Sequence, residues 1–151
     1  MSYTLPQFLA HAIALESEAA DRYQELADMM EAHRNDKVSA LFRDMVRYSR
    51  LHHDSIVERA GGTVLPRIGP WEYLWRTPPE AGGDEAFDYR IHPYDALLYA
   101  RENEVRAMNY YAEVERTAGE PEVRRLASQF AAEETEHVAA LDQWLARTQR
   151  P

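Results

Sequence analysis

Cysteine is absent from this 151-residue chain. Its absence excludes disulfides, iron–sulfur clusters, thiolate zinc sites and any in-chain iron–tetrathiolate centre. Long apolar runs are also missing, so nothing in the sequence is fit to span a bilayer, although 45% of the residues are hydrophobic and can fill a core. Positive charge is scarce: 17 Lys and Arg against 26 Asp and Glu leave a net charge of −9, which argues against nucleic acid, whose phosphates need a basic surface. The nearest approach to a basic patch, Arg43, Arg47 and Arg50 at helical spacing, reads as a solvated face. Met1-Ser2-Tyr3-Thr4 contains no basic region followed by an apolar one, so no secretory signal is expected and the protein is expected in the cytoplasm.

What is present is helical periodicity in four stretches, punctuated by glycine and proline. Helix A is expected over 5–31, capped by Thr4 with Pro6 in its first turn, where a missing N–H costs nothing. A polar turn at 33–36 leads into helix B, 37–60, ended by Gly61-Gly62. Pro93 opens helix C, 93–117, and Pro121 opens helix D, 121–148. Between them, 61–92 loses the period and mixes Pro66, Pro70, Pro78 and Pro79 with Trp71, Tyr73, Trp75, Phe87 and Tyr89. So many aromatics suit an ordered crossover along the bundle, with one short helical turn near Trp71 to Trp75, better than a flexible spacer.

The inward stripes of these helices carry charge. Helix D places Leu126, Phe130, Glu134, His137 and Leu141 on one face; helix A places Leu9, Ile13, Glu16, Ala20 and Tyr23 there. Helix B contributes Leu41, Met45, Ser49, His52 and Ile56, and helix C contributes Leu97, Ala100, Glu104, Ala107 and Tyr111. An ionised carboxylate away from water costs several kcal/mol, so each such acid must be protonated, paired or bound to a cation. Converging carboxylates also repel one another, and a divalent metal resolves both problems at once. Tyr23 and Tyr111 suit core packing as well as a hydrogen-bonding role.

The two halves repeat one design. A tyrosine follows the inward acid by seven residues in helices A and C; 88 residues separate Glu16 from Glu104, and 85 separate His52 from His137. Two helical hairpins joined by a long connection make an all-α, antiparallel four-helix bundle with pseudo-twofold symmetry, a single domain over 1–151.

With one acid and one tyrosine per outer helix and a Glu-x-x-His on helix D, the chain resembles the rubrerythrin-like branch of the ferritin-like superfamily. The resemblance implies a carboxylate-bridged di-iron or single-metal centre, with manganese or zinc as alternatives. It makes Glu16 and Glu104 outer-helix ligands, Glu134 a bridging ligand, and His52 and His137 terminal imidazoles. Tyr23 and Tyr111 become donors that orient ligand carboxylates. It further implies reaction with dioxygen or peroxide, and a homodimer. Two features depart from the pattern. Ser49 stands where helix B should carry the acid of its own Glu-x-x-His, which favours one metal, or a non-catalytic bundle, over a full di-metal site. If another residue fills that gap, His53 and Asp54 are its neighbours in sequence. The absence of cysteine removes the domain that delivers electrons in full-length rubrerythrins, so any electron donor is a separate, unknown partner.

Overall fold

The computed structural model describes residues 3–67 and 91–151, which form four helices: α1 Leu5–Ala32, α2 Asp36–Ala60, α3 Pro93–Thr117 and α4 Pro121–Arg147. Local chemistry sets their ends. Thr4 and Gln7 form a capping box, in which the Thr4 hydroxyl accepts from the Gln7 amide at 3.3 Å and the Gln7 side chain accepts from the Thr4 amide at 2.9 Å. Asn35 caps α2 through the Val38 amide at 3.0 Å, and His92 Nδ1 caps α3 through the Tyr94 amide at 3.0 Å. α1 stops in a Schellman turn, with the Asn35 amide bonded to Met30 O and the Arg34 amide to Glu31 O, which forces Arg34 to φ 59°. That turn leaves no slack between α1 and α2, so the two pack antiparallel.

The core is split. One cluster gathers Tyr23, Leu26, Met30, Phe42, Leu97 and Leu141; the other gathers Phe8, Ile56, Tyr111, Val123, Leu126 and Phe130. The first half of α1 shares a cluster with the second half of α3, so these helices run antiparallel, whereas α2 and α3 run parallel. Glu120 Oε2 accepts from the Leu5 amide at 3.1 Å, tying the starts of α1 and α4 to one end of the bundle. α2 therefore ends, and α3 begins, at opposite ends. The expected crossover and its turn at Trp71 to Trp75 fall largely on 68–90, outside the described residues.

Phe8, Tyr111 and Phe130 pack as a trio with centroids 5.4 to 6.0 Å apart, each pair contributing about 0.5–1.5 kcal/mol beyond its buried area. On the surface, Arg43 pairs with Asp28 and Glu31, and Arg47 with Asp44, so two cations of the Arg43, Arg47 and Arg50 stripe are neutralised within their own hairpin. Among the described residues no helix is long and apolar enough to cross a membrane.

Candidate metal centre

Between the two apolar clusters lies a polar waist. Glu16, Ser49, Glu104 and Glu134 are all buried there, none more than 5% exposed, and His52 and His137 reach it from α2 and α4 with part of each ring still near solvent. All four helices contribute because the same 3.6-residue period that puts leucine inward above and below puts these groups inward between them.

The polar residues divide into two groups. Glu104, Glu134 and His137 each present a donor atom within 4.8 Å of the others. His137 Nδ1 lies 3.3 Å from Glu134 Oε2 and 3.6 Å from Glu104 Oε2. The Tyr23 hydroxyl donates to Glu104 Oε1 from the opposite hairpin. On the other side, His52 Nδ1 lies 2.9 Å from Glu16 Oε1. The hydroxyl of Tyr111, wholly buried, has no hydrogen-bond partner among the described residues.

Electrostatics reflects the crowding. Burial raises the Glu134 carboxyl well above its usual range, and the adjacent Glu104 charge adds to the effect. Burial pushes Glu104 the same way, but hydrogen bonds from Glu134 and His137 outweigh it and hold Glu104 low. The two acids act as one proton-sharing pair in which Glu134 keeps the proton. Burial disfavours charge on His137, yet Glu104 and Glu134 push it up to about 11. Glu16 is raised by burial, which the His52 imidazole only partly offsets.

The sequence profile of the rubrerythrin family matches residues 7–67, a span that includes Glu16, Ser49 and His52. A solved structure of an uncharacterised conserved protein from Magnetospirillum magnetotacticum MS-1 is similar to the whole chain. It has 55% identity, a TM-score of 0.91, and coverage of 99% of this chain and 98% of the other. The chain belongs to the rubrerythrin-like family. No curated protein matches it.

A rubrerythrin-like bundle supports a metal-binding role, and the residues present fit one: carboxylate oxygens and imidazole nitrogens suit iron, manganese or zinc. The fit is uneven between the halves of this rubrerythrin-like chain. Glu104, Glu134 and His137 form a compact three-donor group, while Glu16 and His52 form only a pair, because Ser49 offers a short neutral hydroxyl where a carboxylate would reach inward. His53 and Asp54 do not fill the gap. They face each other at 3.1 Å, and the Asp54 side chain is 79% exposed. Glu133, which the inward stripes leave out, instead lies beside His52, with Oε2 3.3 Å from Nε2. Spacing could not find it, since it is one residue, or about 100°, off the stripe of Glu134.

Proposed function

We propose that this protein binds a divalent transition metal, iron foremost, through Glu104, Glu134 and His137, with Glu16 and His52 serving a second, weaker position. Support comes from one juxtaposition, the three donor atoms within 4.8 Å of one another in a buried waist. Bound iron there would supply two-electron chemistry with dioxygen or peroxide, in keeping with an oxidoreductase. This chain's own part is to hold the ligands. Tyr23 fixes Glu104 through Oε1, leaving Oε2 turned to His137, and Glu134 would give up its proton to let a cation be held there. With no cysteine in the chain, electrons would come from a separate donor. We further propose that it works as a homodimer in the cytoplasm.

A second reading, metal holding without turnover, is favoured by Ser49, which leaves the second position short of a bridging carboxylate. Elemental analysis of protein purified without added metal, with absorption spectra in air and after peroxide, separates the two. Iron near one per chain with a peroxide-dependent spectral change supports the oxidoreductase; bound metal indifferent to peroxide supports holding. A folded protein that carries no metal and takes up none from ferrous or zinc salts overturns both.

A further inference from the structure

His52 is the one imidazole of the waist whose two nitrogens are both turned to carboxylates of other helices. Nδ1 faces Glu16 on α1 at 2.9 Å, and Nε2 faces Glu133 on α4 at 3.3 Å. The ring is held in this orientation by Phe130, packed edge-on with centroids 4.5 Å apart and planes at 85°. Nε2 is buried and lacks an aligned hydrogen bond among the described residues, where the Glu133 carboxylate, already within ion-pair range, is placed to satisfy it. Glu133 is free to complete the alignment. Its side chain is 38% exposed, at a groove between α2 and α4 lined also by Tyr48, Ser55 and His137, and its other oxygen accepts at long range, 3.5 Å, from Gln129.

We propose that Glu133 is a positioning residue for His52: its carboxylate accepts the Nε2–H from outside the waist, leaving Nδ1, the nitrogen turned to Glu16, as the metal-binding atom. The proposal rests on the metal-binding reading above. Pseudo-symmetry shows that it belongs to one half only. Glu133 precedes Glu134 as Tyr48 precedes Ser49, and Tyr48 in turn packs against His137 with centroids 6.0 Å apart. Each hairpin thus sets a side chain against the other's histidine, a carboxylate for His52 and a tyrosine ring for His137. His137 already lies against two inward carboxylates, whereas His52 has Glu16 alone and faces the gap at Ser49. A carboxylate on the far nitrogen fixes the tautomer and makes the near nitrogen a stronger donor, compensating from outside for the acid missing inside.

The test titrates zinc into the full-length metal-free protein, wild type, Glu133→Ala and Glu133→Gln. Affinity is read by competition with a chelating dye, and imidazole tautomers by long-range nitrogen–proton correlation spectra. In the wild type, His52 should bind zinc through Nδ1 with Nε2 protonated. Glu133→Ala should weaken that position at least about 10-fold in a variant that stays folded by circular dichroism, and Glu133→Gln, whose amide oxygen still accepts, should restore most of it. Zinc on Nε2 of His52, an alanine variant of unchanged affinity, or a glutamine variant no better than alanine overturns the proposal. If His137 responds to zinc while His52 ignores residue 133, only this proposal fails. If wild-type His137 never responds, the metal-binding reading falls and takes this one with it.

Discussion

Tyr23 on α1 donates its hydroxyl to Glu104 on α3, the acid of the other hairpin, while Tyr111, the equivalent residue seven positions after Glu104, has no acceptor among the described residues. The pseudo-twofold repeat is therefore broken at the level of hydrogen bonds. Glu16, which Tyr111 would serve by symmetry, is bonded to His52 instead. The half that keeps its bridging acid also keeps its tyrosine contact.

Opposite responses of the two tyrosines to removal of one oxygen should follow. In metal-free protein, Tyr23→Phe deletes a hydrogen bond to a buried ionised carboxylate and should lose about 1.5–3 kcal/mol. Tyr111→Phe deletes a buried hydroxyl that has no partner among the described residues and should be neutral or stabilising by about 1 kcal/mol. Urea denaturation in chelator measures both, and equal losses would show that the asymmetry is not real.

Metal content should depend on the compact donor group. The double change Glu134→Ala and His137→Ala should abolish tight binding of transition metal at that position, leaving at most the weaker one at Glu16 and His52, since Glu104 is then the only donor of its group. The apolar clusters on either side are untouched, so the variant should stay folded by circular dichroism. Metal retained at the wild-type level in a folded double variant would sink the assignment.

The stabilising effect of metal should grow with pH. Glu134 has a folded pKa raised above its unfolded 4.5, so its contribution in metal-free protein is present below that value and is lost as pH rises. His137, raised to about 11 by its carboxylate neighbours, likewise holds its proton until a cation displaces it. Metal competes with both protons and binds more tightly at higher pH. Chelator should thus lower the melting temperature clearly at pH 7 to 8 and little at pH 5. Identical melting with and without chelator at pH 8 would point to a waist held by protons alone.

Ser49 should limit the native protein to fewer than two fully occupied metals per chain, the Glu104, Glu134 and His137 position filling first. Ser49→Glu restores a Glu-x-x-His to α2, places a carboxylate one turn before His52, and should raise stoichiometry towards two. Elemental analysis against protein concentration decides it. Two tightly held metals in the unaltered chain would mean that some other side chain already supplies the missing oxygen.

The sequence by itself determined the helices and the faces on which the acids lie. α3 runs over the expected 93–117, and α1, α2 and α4 differ from expectation by one residue at one end, because caps, prolines and the 3.6-residue period act within a few residues of chain. Burial of Glu16, Glu104 and Glu134 was legible for the same reason: each occupies a core position of its own helix. Which groups meet across helices was decided by the tertiary structure alone. That Tyr23 serves Glu104, that Tyr111 meets no acceptor among the described residues, that His52 turns Nδ1 to Glu16 and Nε2 to Glu133, and that Phe130 holds the ring between them all depend on interhelical rotation and offset. Hydrogen bonds distinguish shifts of a few tenths of an ångström, whereas a pattern of inward positions is unchanged when one helix slides or turns by that much against its neighbour.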